Sequence, residues 1–364
     1  MRIAVIGGGW YGCHIGSELI RLGHEVVIFE KAPELFSGSS GYNQFRLHLG
    51  FHYPRSSKTR HQIIDSHQRF LKKYPNLFFP VTTNVYGISK GDSVMDWMTY
   101  KTVMQHDCPG VEFEEIDPAS IGLTGLEGAL VCREGALLAR EPQRFFSNLL
   151  RQHLRLNVCV KNARTLVDGE GRPSGAEVDG EVYDWCVDCT YGQLFNSARG
   201  EVAYEVCLTL LYKRKDKNVL HLHHAFTIMD GPFTSLFPCF DDYADAVGDL
   251  NRLHTLTHVK HTHLKRFDSF ADAKAYADAF TEADAQRMRP LFEEGILRYL
   301  PTFLRDYTYH DYFISFKTKT TGGADSRETV CRTNGRVISV MSGKVNTIFL
   351  AEDYVVEEIQ STAE

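Results

Sequence analysis

Gly7, Gly9 and Gly12 stand in the run Gly7-Gly8-Gly9-Trp10-Tyr11-Gly12, the spacing G-x-G-x-x-G, and Glu30 lies 18 residues beyond the last of them. Those residue types suit one task, the grip on a pyrophosphate and the sugar attached to it. Gly7 permits a tight turn, Gly9 lets the phosphates approach the backbone, Gly12 lets a helix pack close on a strand, and a helix start offers N–H groups to the anion. Glu30 would accept hydrogen bonds from ribose hydroxyls and repel a 2'-phosphate. A second group is Arg46, His48, His52 and Tyr53, a cation, two imidazoles and a phenol in one short stretch. A third is Ser342-Gly343-Lys344, a hydroxyl, a bare backbone and an ammonium.

Such residues need rigid elements beneath them. Ile3-Ala4-Val5-Ile6 is apolar and β-branched, the pattern of a buried parallel strand. Ile15, Leu19, Ile20 and Leu22 recur at helical spacing, Gly23 closes that helix, and Glu25-Val26-Val27-Ile28-Phe29 predicts a second strand ending at Glu30. A glycine-rich turn of an ordinary α/β protein is the plain alternative. Strand, glycines, helix, strand and terminal acid in one unit favour a dinucleotide site. Both NAD and FAD use that unit. The next stretch decides between them: Lys31 and then a loop over 37–55 bring together Ser39, Ser40, Asn43 and Arg46, which suits wrapping a diphosphate and an isoalloxazine ring. A nicotinamide enzyme would continue into another strand–helix unit instead.

At this point the sequence resembles the flavoenzyme family of D-amino-acid oxidase, glycine oxidase and sarcosine oxidase, most strongly over residues 1–56. Residues 157–192 look like that family's second nucleotide-side segment. They read as a strand Val158-Cys159-Val160, a hairpin through Asp168-Gly169-Glu170-Gly171, and Trp185-Cys186-Val187-Asp188-Cys189-Thr190-Tyr191-Gly192, similar to a strand and turn passing near adenosine and pyrophosphate. A third block, 335–344, precedes a helical pattern of Ile348, Ala351, Tyr354, Val355 and Ile359, and in the family such a unit aims a helix N-terminus at the flavin pyrimidine ring. The resemblance thus implies FAD held by Gly7, Gly9, Trp10, Tyr11, Gly12, Glu30, Lys31, Ser39, Ser40, Asn43, Arg46, Ala163, Thr190, Gly192, Ser342, Gly343 and Lys344. Reduction places negative charge on the flavin N1/C2=O edge, where N–H groups and a lysine would stabilise it. The compact Ser-Gly-Lys departs from the longer glycine-rich segment usual in such oxidases, which leaves the electron acceptor open.

The fold class expected is α/β, a Rossmann-like FAD-binding domain (1–75, 135–200 and 325–364) interleaved with an α+β substrate domain (76–134 and 201–324) built on an antiparallel sheet. In the second domain, 80–89, 204–213, 219–229, 234–239, 250–261 and 309–319 read as strands, and 94–106 and 268–300 as helices. A helix is also expected over 140–154. The run 229–238, with its Asp-Gly-Pro turn, is placed near the substrate pocket by the same resemblance.

The reaction expected is oxidation of a C–N bond in a small amine or amino acid by hydride transfer to flavin N5, with Arg46, His48 and Lys344 as catalytic residues. Arg287, Arg289, Arg298 and Arg332 are candidates to bind a substrate carboxylate; if none reaches the flavin, a neutral amine, an amino sugar or a hydroxy compound fits better. A sugar mutase-like or monooxygenase-like flavoenzyme and a non-catalytic dinucleotide-binding regulator are the alternatives. Alternating histidines, 221 with 223 and 261 with 263, sit at strand spacing without an acidic or thiol ligand beside them, so no metal is expected. Cys159, Cys186 and Cys189 read as buried strand thiols, and Cys331 is the residue to test for covalent flavin. Forty Lys+Arg against 46 Asp+Glu leaves a formal charge of -6 and no general footprint for nucleic acid. The chain shows no leader and no apolar run long enough to span a membrane, and nine cysteines in 364 residues suit a reducing cytoplasm.

Overall fold

The structure, a computed structural model, describes all residues except 195–200, 216–224, 232, 249, 321–328 and 363–364. Its first sheet has six strands in the order Val330–Asn334, Val337–Met341, Trp185–Asp188, Arg2–Ile6, Glu25–Glu30 and Leu154–Leu156. All neighbours run parallel except the terminal pair 330–334 and 337–341. Arg2–Ile6 lies in the middle, and Ile3, Ala4, Val5 and Ile6 are buried on both faces, as a central parallel strand requires.

The helix Trp10–Arg21 packs on this sheet through Cys13, Ile15 and Leu19, which join Val26, Ile28 and the last helix, Ile348–Gln360, in one core. Each fully buried branched side chain there contributes about 1.5–3 kcal/mol. The helix can come this close because two of its contact positions lack side chains. A Cβ on Gly16 would sit 2.6 Å from Ile28 Cδ1, and one on Gly12 would sit 1.8 Å from the Gly7 carbonyl oxygen. A three-stranded antiparallel meander, Ala163–Val167, Pro173–Val178 and Glu181–Tyr183, covers part of the sheet and contains the hairpin read through 168–171.

The second sheet is larger. Its long pair, Val202–Arg214 against Tyr307–Thr320, is antiparallel along its whole length, as is Phe78–Ser89 against Leu126–Leu137. Ala225–Met229 meets Phe78–Ser89 in parallel register, the one parallel junction among the described pairs of this sheet. These two strands lie far apart in the chain, so no hairpin dictates their direction. The helix Glu282–Leu297 buries Phe292 and Ile296 against this sheet. The architecture is thus a doubly covered, largely parallel nucleotide sheet joined to a largely antiparallel one.

Four elements differ from the sequence reading. The expected strand at 158–160 is absent; the edge strand is Leu154–Leu156, after which Asn157, at φ 60°, turns the chain off the sheet. The expected helix 140–154 is shorter, Glu141–Leu149, and 268–300 divides into Phe270–Asp278 and Glu282–Leu297, the second started by a Thr281–Asp284 capping box. The strand expected over 250–261 ends at His258, where the helical turn Val259–Thr262 begins, so His261 and His263 do not alternate along one strand. His221 and His223 lie outside the described residues.

Candidate active site

A cleft of about 1610 Å³ runs between the two sheets. It exceeds the roughly 300–1,000 Å³ of a pocket for a single drug-sized molecule, and so has room for a dinucleotide with a substrate beside it. The glycine turn forms one end. Gly7, at φ 107°, turns the chain between strand and helix, and its N–H donates to the Phe29 carbonyl at 2.7 Å. Gly9, the N-cap of the 12-residue helix, has no side chain of its own to cap it, so the helix start presents backbone to the cleft. Glu30 lines the same end, oriented by two backbone donors: Gly8 N–H at 2.7 Å to Oε2 and Ala32 N–H at 2.9 Å to Oε1.

The loop after Glu30 wraps over this turn. Ser40 Oγ accepts from Trp10 N–H at 3.0 Å. Asn43 organises the loop, donating to the carbonyls of Ser39 and Ser40 at 3.0 Å each and accepting from Phe45 N–H at 2.6 Å. The loop then enters the second sheet, because Arg46 and Leu47 pair with Ala136 and Gly135. This short strand carries Arg46 into the junction between the two sheets.

Arg46 is 6% exposed and lines the cleft. Its Nη1 donates to Thr227 Oγ1 at 2.7 Å, its Nη2 donates to Ser235 Oγ, and the guanidinium lies 4.5 Å above the Phe237 ring. Nε has no hydrogen-bond partner, and no carboxylate among the described residues lies within ion-pair distance. Burial lowers its pKa from the usual value. A buried cation with an orphaned donor suits an electron-rich group placed in the cleft.

Beside it, His48 stacks on His52 at 5.1 Å, Tyr53 stands edge-on to both rings, and the Lys344 ammonium sits 4.5 Å over Tyr53. Behind His48 is Glu134, 1% exposed, with Oε2 3.6 Å from His48 Nδ1. Glu134 also accepts from Leu49 N–H, Asn84 Nδ2 and Tyr86 OH. Burial pushes its carboxyl up, but His48 and these donors outweigh burial, and the net shift is downward. At the mouth, Arg55 Nε pairs with Asp230 Oδ1 at 2.8 Å, joining the first loop to the hairpin after Ala225–Met229.

The last chain segment also reaches the cleft, though not as the sequence suggested. Ser342, Gly343 and Lys344 follow the strand, but the helix does not start there. A 3-10 turn, Val345–Thr347, intervenes, and Ile348–Gln360 begins after it. Tyr11 OH sets this turn by donating to the Lys344 carbonyl at 2.6 Å, with Thr347 Oγ1 3.0 Å away. Ser342 Oγ contacts Thr347 Oγ1 at 2.9 Å. Asn346, which the sequence reading passed over, lines the cleft and donates to the His48 carbonyl at 2.9 Å.

Gly7, Gly9, Trp10, Tyr11, Glu30, Lys31, Ser39, Ser40, Asn43, Arg46, His48, Thr190, Ser342, Gly343 and Lys344 all border this one cleft. Gly12 lies behind the turn as a packing position. Gly192, at φ 81°, packs against Thr318 and Met341, and Ala163 packs in the core between the first sheet and the meander; neither borders the cleft. Of the four arginines considered for a carboxylate, none borders it either: Arg287, Arg289, Arg298 and Arg332 pair with Asp284, Glu293, Asp92 and Glu201. Cys159 is exposed rather than buried. Burial pushes the Cys331 thiol up to about 12, and Cys331 does not border the cleft. No group of three or more metal-ligating side chains occurs among the described residues. Glu134 and Thr227, like Asn346, were missed by the sequence reading, whereas Ser235 belongs to the run 229–238 that it placed near the pocket. The first had a signal, because it shares its strand face with Leu130, Cys132 and Ala136, where a carboxylate is out of place.

The cleft's features fit FAD: glycine backbone that a Cβ would block, an oriented acid, and a buried guanidinium with a spare donor. Comparisons with known proteins agree. Residues 2–238 match the family model described as FAD dependent oxidoreductase. The chain is 37% identical to FAD-dependent monooxygenase FPY4 of Fusarium mangiferae, over 98% of this chain and 90% of that protein. It is 29% identical to FAD-dependent monooxygenase kojA of Aspergillus flavus, over 100% of this chain and 86% of the other. Its fold is similar to that of glycine oxidase from Geobacillus kaustophilus (TM-score 0.68, 13% identity, 99% of this chain and 95% of the other). It is similar also to NikD, an amino acid oxidase of nikkomycin biosynthesis (TM-score 0.71, 14% identity, 96% and 91%). Fold, cleft and sequence match therefore converge, and the chain belongs to the FAD-dependent oxidoreductase family that includes glycine oxidase, as an enzyme whose cofactor is FAD.

Proposed function

We propose that this enzyme oxidises a C–N bond of a small amine, with the substrate C–H hydrogen leaving as hydride. Bound FAD supplies the two-electron acceptor, its N5 receiving that hydride. The observation that supports the reading is the layout of one continuous cleft, with the glycine turn and Glu30 at one end and Arg46, His48, Tyr53 and Lys344 at the other. Gly7, Gly9 and Glu30 would hold the dinucleotide, Arg46 and Lys344 would favour negative charge at the ring end, and the Arg55–Asp230 pair would limit water at the mouth. With the four outlying arginines tied to acids on the surface, a neutral amine, an amino sugar or a hydroxy compound stands ahead of an amino acid as substrate. Nine free thiols support a reducing compartment, the cytoplasm. Among the described residues no helix is long and apolar enough to cross a membrane.

A second reading, oxygen insertion into a small-molecule substrate, is supported by the two relatives, both of them FAD-dependent monooxygenases by name. One experiment separates the two. Mixed anaerobically with an amine panel and no nicotinamide, the yellow enzyme is expected to bleach and to regain colour in air. Bleaching that requires a nicotinamide, with label from ¹⁸O₂ entering the product, would establish the second reading instead.

A further inference from the structure

We propose that His48 and Glu134 form a proton-accepting couple, in which Glu134 fixes the imidazole so that its Nε2 takes a proton from a hydroxyl or ammonium group of the substrate. The inference rests on the oxidation reading above and deepens it. A neutral amine can give up hydride without a base; a substrate that arrives carrying a proton on the heteroatom cannot do so readily.

The geometry of Glu134 carries the argument. Its strand, Leu126–Leu137, turns the carboxylate into the protein, where Oε1 accepts from Leu49 N–H at 2.7 Å and Oε2 accepts from Asn84 Nδ2 and Tyr86 OH at 2.8 Å each. Three donors keep a buried carboxylate ionised, and the remaining direction faces His48 Nδ1 at 3.6 Å. That separation is an ion-pair distance, and such contacts commonly tighten when substrate binds. An ionised acceptor beside Nδ1 favours a proton on Nδ1, which leaves the Nε2 lone pair available on the other edge of a ring that borders the cleft.

The main chain of His48 is fixed as well. Its carbonyl accepts from Asn346 Nδ2 at 2.9 Å and from His67 Nδ1 at 3.2 Å, so the 3-10 turn Val345–Thr347 and the helix Ser57–Lys73 both hold it. The other ionisable groups around the ring are His52 and Tyr53 on its own loop, Lys344 over Tyr53, His67 against its carbonyl, Tyr86 behind Glu134, and Arg46 two residues before it. Burial lowers the His67 pKa and raises that of Tyr86, so both stay neutral near pH 7 and neither competes for the role. The proton step balances simply. The substrate X–H bond breaks, Nε2–H forms, and the pair left on X becomes the second C–X bond as the carbon loses hydride to FAD. The proton then leaves His48 for solvent.

The test uses the FAD-loaded enzyme and two variants. In ¹⁵N spectra, with the His48 ring assigned by its loss in His48→Ala, the wild type is expected to show the Nδ1–H tautomer, and Glu134→Gln a mixture. In anaerobic mixing, Glu134→Gln is expected to slow flavin reduction about 10- to 100-fold with substrate affinity nearly unchanged. His48→Ala should slow it by about 10²–10⁴, the usual contribution of a positioned base, with partial recovery on adding imidazole. If Glu134→Gln does not fold, the wild-type tautomer and the imidazole recovery still decide. A wild-type ring protonated on Nε2, or His48→Ala reduced at the wild-type rate, overturns the couple. If no amine or alcohol bleaches the wild type, the oxidation reading fails, while the tautomer still reports on His48 and Glu134 independently.

Discussion

Gly12→Ala is the sharpest test of how the nucleotide end is built. A Cβ at position 12 would lie 1.8 Å from the Gly7 carbonyl oxygen, while real Cβ atoms essentially never come within 3.0 Å of a neighbour, so backbone on one side must move by about 1.2 Å (3.0 less 1.8). Neither side is a flexible side-chain tip. The obstacle is the backbone carbonyl of the glycine turn itself. Overpacking of this kind costs about 1–3 kcal/mol. At roughly 2–4 °C per kcal/mol for a chain of this size, the melting temperature should fall by about 2–12 °C. Displacing the turn should also weaken FAD binding at least tenfold, or ~1.4 kcal/mol. Gly9→Ala should behave differently, because its Cβ would meet a rotatable hydroxyl, Ser40 Oγ, at 2.6 Å; the loss should fall on FAD affinity with little change in apoprotein melting. Gly169→Ala, with nothing within 4 Å, serves as the control. Flavin titration by fluorescence and melting of the apoprotein read both quantities. A Gly12→Ala protein that melts and binds FAD like the wild type would refute the close-approach argument.

Arg46→Met should lower the flavin midpoint potential by about 30 mV or more, the equivalent of ~1.4 kcal/mol for a two-electron couple, because a buried cation near the ring end is lost. Folding should suffer little, since Thr227 Oγ1 and Ser235 Oγ, 2.8 Å apart, can satisfy each other; an unchanged potential in a dye-coupled titration would remove Arg46 from the flavin's surroundings. Acid stability has a separate origin. Arg21 and Lys73 hold the Glu18 carboxyl down to about 2 against burial, from an ordinary 4.5. A group depressed on folding stabilises fully above its unfolded value, and that part is lost as pH falls from about 4.5 towards 2. Glu18→Gln should therefore flatten the wild type's loss of stability across that window, measured by denaturant melts at stepped pH, and an unchanged slope would contradict it.

The nucleotide unit was legible because each of its signals is local. Gly7 to Glu30 specify strand, turn, helix and strand within one stretch, and the structure forms these elements at Arg2–Ile6, Trp10–Arg21 and Glu25–Glu30. The inner end was less legible because it is assembled across the chain. Thr227 and Ser235 face Arg46 only because Thr227 pairs with Ser235 across a hairpin and Arg46 pairs with Ala136, two registers no single stretch encodes. Ser342-Gly343-Lys344 misled for a related reason: the pattern after it is helical, but Tyr11, far away in sequence, binds the Lys344 carbonyl and a 3-10 turn precedes the helix. Val158-Cys159-Val160 has the composition of a strand, yet the ladder ends before it at Leu156 and Asn157 redirects the chain.

The placement of Arg46 and Glu134 explains why the two sheets must meet where they do. Either charge alone, buried, would cost several kcal/mol. Each is solvated by groups from several strands: Thr227, Ser235 and the Phe237 face around the guanidinium, and Asn84, Tyr86 and the Leu49 amide around the carboxylate. The partners of Arg46 lie in the second sheet, whereas Glu134 already meets Asn84 and Tyr86 on the neighbouring strand, so it is Arg46 and the Leu49 amide donor that reach their places only when the loop after Glu30 has docked through the 46–47 pairing with 135–136. Closing the nucleotide site and assembling the inner site are therefore one event. Disrupting the short Arg46–Leu47 strand should strip Arg46 of its partners and Glu134 of the Leu49 amide together, with a loss of flavin reduction by substrate that precedes any loss of the parallel sheet.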